Sequence, residues 1–359
     1  MDFYTLKFKD GKLSILDQTL LPVEERYIEL DNIKDVYDAI KTLKLRGAPA
    51  IGVGAAYGAV IAAMNAPKES KEAFFDHFNN GCDYIASSRP TAVNLFWAIR
   101  RMKQKANSMK DMDIEHIIKG LEAEARLIEK EDEEINYKIG ENMLGLLKDG
   151  DTVLTHCNAG ALATSKYGTA LSVFYLAKQK GIDLKVYADE TRPLGQGSRL
   201  TSWELYKSSI DVTLICDNMA AMVMSQGKIN AVIVGCDRIA ANGDTANKIG
   251  TLGLSVLAKH FGIPMYIAAP TPSIDMDCKS GKDIPIEERD ALEVRTIKGI
   301  QVAPEHVKVF NPAFDVTPAD NITAIVTEKG VIYPPFEINL KKLFKGEQNE
   351  IQEGKKADN

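Results

Sequence analysis

The hydrophobic pattern of the chain changes near residue 150. Before that point, apolar residues recur three or four positions apart, which is the spacing of one helix face. The stripe from Ile33 to Leu43 predicts a helix capped by Asp31. Further helices are predicted at about 48–66, 70–87, 91–106 and 113–147, and short strands before residue 30. The first third of the chain is therefore predicted to be mainly helical.

After residue 150, short apolar runs rich in β-branched residues alternate with helical segments. The runs lie at 152–155, 184–187, 212–215, 231–234, 265–268 and 322–326. Such alternation predicts an α/β fold with a parallel sheet flanked by helices. Polar residues that form turns follow most of these runs, which would make the carboxyl edge of the sheet the functional edge. The alternative, favoured for most of these residues, is that they only cap the helices that follow.

Composition narrows the functional classes. The net charge is −6 and the sequence pI is about 5.6, which gives no electrostatic footprint for nucleic acid. The five cysteines form no C-x-x-C pair, which disfavours disulfides or a structural zinc site and favours a cytoplasmic location. The apolar segment 48–66 contains Pro49 and several glycines, so we predict a buried helix and no membrane span.

Two residues stand directly after predicted strands, Cys157 and Asp237. A free cysteine is more often a small buried hydrophobe, and such an aspartate more often caps a helix or pairs with a cation such as Arg238. In the functional alternative, Cys157 precedes a helix whose N-terminus lowers the pKa of the thiol. Asp237 would then be a carboxyl group with a raised pKa in an apolar cleft, able to exchange a proton near neutral pH.

Several basic positions could hold an anion. Asn247 and Lys248 are predicted in the first turn of a helix capped by Asp244 or Thr245, which would form a phosphate site. The alternative is a solvated surface lysine. Basic loops also occur at 46–49, at Arg89 and at 192–199, and together they could clamp a phosphate. The glycines at 52–58 do not match a dinucleotide-binding fingerprint and are predicted to allow close helix packing.

Long motifs give the chain a resemblance to a known family. They are Leu45-Arg-Gly-Ala-Pro-Ala-Ile-Gly-Val, Ser88-Arg-Pro-Thr-Ala-Val-Asn-Leu, Thr155-His-Cys-Asn-Ala-Gly-Ala-Leu-Ala-Thr, the loop 189–200, and Gly235-Cys-Asp-Arg-Ile-Ala-Ala-Asn-Gly-Asp. With them the chain resembles the methylthioribose-1-phosphate isomerase family from about Leu30 to Pro335. That family also includes ribose-1,5-bisphosphate isomerases and regulatory subunits of the translation-initiation guanine nucleotide exchange factor.

The resemblance implies an architecture and a set of site residues. It implies a mainly helical N-terminal domain, placed at 1–125, a Rossmann-like catalytic domain at 126–345 and a polar tail at 346–359. It makes Asp237 the proton donor and Cys157 the thiol that stabilises the transition state. The implied substrate-binding residues are Arg46, Gly47, Ala48, Arg89, Gln196, Asn247 and Lys248. It further implies a homodimer that acts on a small sugar phosphate, with no cofactor or metal and no nucleic-acid or membrane partner.

The implied reaction converts 5-methylthioribose 1-phosphate to 5-methylthioribulose 1-phosphate in methionine salvage. Asp237 would protonate the ring oxygen, and Cys157 would either abstract a proton or stabilise a hydride shift. Two alternatives remain: an isomerase of 5-deoxyribose 1-phosphate or ribose 1,5-bisphosphate, and a non-catalytic subunit that senses sugar phosphates. No motif identifies the group at C5, for which Ala50, Val53 and Trp97 are the candidate contacts.

Overall fold

The computed structural model describes residues 1–90 and 92–345, so the predicted polar tail 346–359 lies outside the described residues. The helices of this part of the chain are α1 Ile33–Lys41, α2 Ala48–Met64, α3 Lys71–Ala86, α4 Val93–Ser108, α5 Ile114–Leu144, α6 Ser172–Gln179, α7 Ser202–Lys207, α8 Ala220–Ser225, α9 Thr251–Phe261, α10 Leu292–Arg295 and α11 Phe336–Lys345.

The strands are numbered in the same way along the chain. They are β1 Leu6–Lys9, β2 Lys12–Leu16, β3 Tyr27–Leu30, β4 Thr152–Thr155, β5 Lys185–Asp189, β6 Val212–Ile215, β7 Ala231–Val234, β8 Arg238–Ala240, β9 Thr245–Lys248, β10 Met265–Ala268, β11 Ile274–Asp275, β12 Thr296–Ile297, β13 Ile300–Gln301, β14 Phe314–Thr317, β15 Ala324–Thr327 and β16 Gly330–Ile332.

The N-terminal region is built around α2, which is apolar on every side and almost entirely buried. The other helices of the region, α1, α3, α4 and α5, pack around α2. Close approach depends on glycine, because a Cβ at Gly58 would lie 2.9 Å from both Ile85 and Val36. The glycines in this segment therefore serve helix packing, as predicted. The cap of α1 is Asn32 instead of Asp31, since its side chain accepts the Asp35 N–H.

The C-terminal region contains a seven-stranded sheet in the order β16-β15-β10-β7-β4-β5-β6. All neighbouring strands run parallel except β16, which is antiparallel to β15. Its inner strands are apolar and buried, as a sheet covered on both faces requires. The predicted mixed α/β fold, with a helical N-terminal region and a parallel sheet flanked by helices, is confirmed.

The strand order contains a reversal. The chain enters the sheet at β4, moves outward through β5 and β6, and then returns to the other side of β4 as β7. The connections that leave β4 and β7 therefore diverge, and a crevice opens between their carboxyl ends. A separate four-stranded sheet, β11-β8-β9-β14, begins directly after β7.

Helix α5 runs through the predicted domain boundary at residue 125. Its first half packs into the N-terminal core through Ile117 and Leu121, and its second half packs against the large sheet through Ile139 and Met143. The division at 125/126 therefore remains a prediction, with one helix continuous across it. Within residues 1–90 and 92–345, every helix is too short or too polar to cross a lipid bilayer.

Candidate functional site

Cys157 and Asp237 lie at the two strand ends that border the crevice. Cys157 follows β4, and Asp237 follows β7. These strands are neighbours in the sheet, with Leu154 opposite Val232. Burial raises the pKa of Cys157, and the negative charge of Asp237 adds to that rise. The structure thus brings together the two residues that the sequence singled out from separate segments.

The backbone of Cys157 is held in an unusual conformation. Its φ angle is 65°, in the left-handed region that residues with a side chain rarely adopt. Two threonine hydroxyls hold it there. The Cys157 N–H donates to Thr191 Oγ1 at 2.8 Å, and Thr201 Oγ1 donates to the Cys157 carbonyl at 2.5 Å. The sulfur donates to Gln196 Oε1 at 3.4 Å, so Gln196 also belongs to this site.

The prediction that a helix N-terminus lowers the pKa of Cys157 was wrong. Only a single 3₁₀ turn at Ala161–Ala163 follows the cysteine, and the next α-helix does not begin until Ser172. Burial raises the pKa of the thiol, while Lys248 and Arg46 act in the opposite direction. Cys157 is therefore mainly an uncharged thiol at neutral pH.

Asp237 is exposed at the crevice, and protein atoms pack around its carboxyl group on the remaining sides. Its backbone N–H donates to the Ala246 carbonyl at 2.9 Å, which fixes it at the start of the β8–β9 hairpin. Desolvation by the surrounding protein raises the pKa of the carboxyl group, and the cations Lys248, Arg89 and Arg46 oppose that rise. A raised pKa suits a carboxyl group that must donate a proton.

Asn247 and Lys248 lie in strand β9, so their predicted place in the first turn of a helix was wrong. Helix α9 begins only at Thr251, after Gly250, and β9 pairs with β8 on one side and β14 on the other. The Asn247 side chain donates to Thr251 Oγ1 at 3.0 Å. Asp244 also caps no α-helix, because its carboxylate accepts the N–H groups of Gly281 and Ala319.

The Lys248 side chain is buried, with 9% of its surface exposed. Its ammonium group donates to the Ala313 carbonyl at 3.1 Å and lies 4.5 Å from the centre of the Phe314 ring. A surface lysine would be solvated, but this one is held beside Cys157 and Asp237, whose pKa values it lowers. A desolvated cation with hydrogen-bond donors to spare is suited to bind an anion.

Arg46 connects the N-terminal region to the Cys157 turn. Its Nε donates to Gln18 Oε1 at 3.0 Å, and its two terminal nitrogens donate to the Asn158 carbonyl at 3.3 and 3.1 Å. One of them also contacts the Asn158 side-chain oxygen. Behind Asn158 lies Glu204, whose pKa burial raises to about 8. Most N–H donors of Arg46 are thus engaged within the protein, and Arg46 supports the Cys157 turn directly.

Gly47 and Ala48 begin α2 beside this turn. A Cβ at Gly47 would lie 2.4 Å from the Ala163 carbonyl oxygen, and its φ angle is 88°, so only glycine fits. No side chain caps α2. Among the described residues, the N–H groups of Ala48 and Ala50 have no side-chain partner, so they could donate to an anion.

Arg89 belongs to the N-terminal region, and its charge acts on Asp237. Burial lowers the pKa of Arg89, and the positive charge of Arg289 also lowers it. The carboxylates of Glu287 and Asp237 act in the opposite direction. Sequence reasoning missed the 287–289 segment, as it missed Gln18 and Glu204. Asn158 stands next to Cys157 in the motif and could have been found there. Nothing in the sequence marks Gln18, Glu204 or the segment 287–289 as neighbours of the site.

The remaining predicted candidates are the basic loop 192–199 and the three proposed C5 contacts. The guanidinium of Arg192 donates to the carbonyls of Glu293 and Val294, and that of Arg199 to the carbonyls of Gln18, Leu21 and Leu194, so neither forms the predicted phosphate clamp. Of the proposed C5 contacts, Ala50 and Val53 are fully buried, whereas Trp97 is 45% exposed.

His156, Asp189 and Asp217 form a cluster that could in principle hold a metal ion. One potential ligand atom from each lies within 4.8 Å of the others. However, the Asp217 carboxylate accepts the backbone N–H groups of Thr191 and Arg192, at 2.7 and 2.8 Å, and His156 bonds through both ring nitrogens. These contacts support the loop behind Cys157, and we assign the cluster a structural role.

The charge of Lys248 should be measurable through the reactivity of Cys157. In Lys248→Met the pKa of Cys157 should rise, because a nearby cation that favours the thiolate is lost. Alkylation of Cys157 by iodoacetamide at pH 7.5, followed by peptide mass spectrometry, should slow severalfold, with its pH profile shifted upward. Lys259→Met removes an exposed lysine and is the control. Identical profiles in both variants would contradict this geometry.

Two relatives share most of their length with this chain. A protein named 5-deoxyribose 1-phosphate isomerase from Clostridium botulinum (strain Loch Maree / Type A3) is 64% identical over 345 residues, covering 96% of this chain and 99% of that protein. A protein of the same name from Bacillus cereus is 59% identical over 339 residues, covering 94% and 98%.

Solved structures agree on the fold but carry different names. The 5-methylthioribose 1-phosphate isomerase from Pyrococcus horikoshii OT3 superposes with a TM-score of 0.93 at 46% identity, covering 96% of each chain. The delta subunit of translation initiation factor eIF-2B from A. fulgidus gives 0.90 at 46% identity, covering 96% of this chain and all of that one. The model of the Initiation factor 2 subunit family matches residues 44–334, and the chain therefore belongs to that family.

Proposed function

We propose that the protein is an aldose–ketose isomerase that converts 5-deoxyribose 1-phosphate to 5-deoxyribulose 1-phosphate. The observation that carries this proposal is the placement of Cys157 and Asp237 on either side of the sheet crevice, with the buried cation Lys248 beside both. The relatives at 64% and 59% identity bear this name, and they support the 5-deoxy substrate over the methylthio substrate implied by the sequence motifs.

The substrate poses a problem that the site can solve. Its anomeric carbon carries the phosphate, so the ring opens only if the bond between C1 and the ring oxygen breaks. A protonated Asp237 can donate its proton to the ring oxygen as that bond breaks, because its pKa is raised. The electron deficiency that develops at C1 is then relieved by hydrogen transfer from C2, which leaves a ketone at C2 and the phosphate still on C1.

Cys157 takes part in that transfer by one of two routes. As a thiolate it would remove the C2 proton to form an enol and return that proton to C1, while the ionised Asp237 accepts the proton of the C2 hydroxyl to leave the ketone. As a thiol it would instead line the path of a hydride that moves from C2 to C1, while the ionised Asp237 accepts the proton of the C2 hydroxyl. The raised pKa of Cys157 favours the second route, because a thiolate is disfavoured in the resting site.

The phosphate would lie between the cations of the crevice. Lys248 is the main candidate, since its ammonium is desolvated and beside both reacting groups. Arg89 supplies a second cation, close enough to Asp237 for their charges to interact. The uncapped start of α2 at Gly47 and Ala48 offers N–H donors, as helix N-termini do for anions. Arg46, Gln196 and Asn247 complete the proposed binding set, with Arg46 also holding the Cys157 turn.

A second candidate substrate is 5-methylthioribose 1-phosphate, favoured by the close superposition with the Pyrococcus horikoshii isomerase. The two sugars differ only at C5, where one apolar group is worth about 1–3 kcal/mol in discrimination. We propose that the protein is a homodimer located in the cytoplasm. It would act in methionine salvage only if its substrate is the methylthio sugar. A role as a non-catalytic subunit is disfavoured by the pairing of Cys157 with Asp237.

A comparison of substrates tests the proposed function. We expect the highest kcat/KM for 5-deoxyribose 1-phosphate. The kcat/KM for the methylthio sugar should be lower by at most about 200-fold, because only an apolar group at C5 distinguishes the two. Ribose 1,5-bisphosphate should be the poorest, since no second phosphate site is apparent in the proposed set. Initial rates of ketose formation with the purified protein would decide. No turnover of any of the three would overturn the proposal.

Substitution of the reacting pair tests the mechanism. Asp237→Asn cannot donate the carboxyl proton, and Cys157→Ser removes the sulfur at the hydrogen-transfer position. Each should lower kcat by about 10²- to 10⁴-fold while the protein remains folded by circular dichroism. Asp277→Asn and Cys216→Ser change exposed residues of the same types and should retain wild-type rates. Wild-type kcat in either variant of the pair would rule out the roles assigned here.

A further inference from the structure

His156, directly before Cys157, is enclosed by three segments of the site. Only 2% of its surface is exposed. Its Nδ1 lies 3.0 Å from Asp189 Oδ2, and its Nε2 lies 2.8 Å from the Ile249 carbonyl oxygen. The fit is tight, because a Cβ at Gly250 would lie 2.8 Å from the imidazole ring. Both ring nitrogens therefore face hydrogen-bond acceptors at good distances.

The partners of the ring determine how many protons it carries. A carbonyl oxygen can only accept, so Nε2 must carry a proton. A second proton lies between Nδ1 and the Asp189 carboxylate, and imidazole is ordinarily the more basic of the two. Among the described residues, the other oxygen of Asp189 has no hydrogen-bond partner, which leaves His156 as the group that compensates this buried carboxylate.

Electrostatics act on both partners of this pair. Burial raises the pKa of the Asp189 carboxyl group, while the hydrogen bond and charge of His156 lower it. Burial by itself lowers the pKa of His156, but the hydrogen bond and charge of Asp189 and the Ile249 carbonyl outweigh it, so the pKa is raised overall. The carboxylates of Asp217 and Asp315 also face the ring and favour the cation. A buried imidazolium paired with a buried carboxylate is costly to break, since either partner alone would remain an unpaired charge.

The three segments that His156 joins carry the proposed site. His156 follows β4 and precedes Cys157, Asp189 ends β5, and Ile249 follows Lys248 at the end of β9. The β5 end contributes Thr191 as well, whose hydroxyl accepts the Cys157 N–H. One charged side chain thus links the turn that carries the thiol to the strand that carries the buried ammonium group.

We propose that His156 is held as an imidazolium by Asp189 and the Ile249 carbonyl and acts as a positioning residue, fixing the Cys157 turn relative to Lys248. Its kinetic consequence rests on the proposed isomerase function, whereas its charge state and its effect on the thiol do not. His156 has no free ring nitrogen and touches no open part of the crevice, so it takes no direct part in proton transfer.

The charge state can be read from the wild-type protein. With ¹⁵N-labelled histidine at pH 8, both ring nitrogens of His156 should carry a proton and show the shifts of an imidazolium. The signal is assigned by its loss in His156→Asn. A neutral ring, with a proton only on Nε2, would overturn the proposal, because Asp189 would then hold the second proton.

The positioning role is tested with two variants that each keep one end of the link. His156→Asn places a donor near the position of Nδ1, and His156→Gln places one near that of Nε2. In both, kcat should fall by about 100-fold, as expected for a displacement of about 1 Å, with a much smaller change in KM. The rate of Cys157 alkylation should also change, while that of Cys216 should not. His116→Asn is the control.

The outcomes separate this inference from the proposed function. If the wild-type protein turns over none of the sugar phosphates, the isomerase proposal fails, and the charge state and Cys157 alkylation still decide the role of His156. If the His156 variants do not fold, Asp189→Asn keeps the shape of the pair without its charge and should show the same loss of kcat and altered alkylation. Folded variants with wild-type kcat and alkylation would overturn the positioning role.

Discussion

The site depends on the reversal of strand order between β4 and β7. Because the chain leaves these neighbouring strands in opposite directions, their carboxyl ends border an open crevice. Cys157 and Asp237 lie two and three residues after the ends of those strands, so the backbone topology places them together although they are 80 positions apart in the sequence. The N-terminal region contributes Arg46 and Arg89 from the segments between its helices, and the charges of both act on Asp237.

The acids and cations that meet in this crevice change one another's pKa values, and these changes suit the proposed chemistry. Desolvation raises the pKa values of Cys157 and Asp237, so both tend to keep their protons at a pH where they would otherwise lose them more readily. The cations Lys248 and Arg46 limit those rises in pKa. Arg46 is only partly available to an anion, because its guanidinium donates to the Asn158 carbonyl. The resting site is thus suited to donate a proton and to receive a phosphate.

The sequence predicts the large sheet well and the local setting of the site less well. Strands such as Ala231–Val234 have the predicted bounds, because continuous apolar runs are specified by burial alone. Lys248 was placed in a helix because Gly, Asn and Asp residues precede it, but its strand is set by pairing with Phe314, which is distant in sequence. Gln18 and Glu204 also reach the Cys157 turn through tertiary packing. The motifs likewise do not identify the group at C5, because no residue in them is specific for it, and the relatives of this chain carry the name 5-deoxyribose 1-phosphate isomerase.

The most direct test of this account is a crystal structure of Asp237→Asn with 5-deoxyribose 1-phosphate bound. The account predicts the ring oxygen beside the residue 237 side chain, C1 and C2 facing the sulfur of Cys157, and the phosphate in contact with Lys248. A sugar phosphate bound away from the crevice between β4 and β7, or bound there with its phosphate at Cys157, would contradict it.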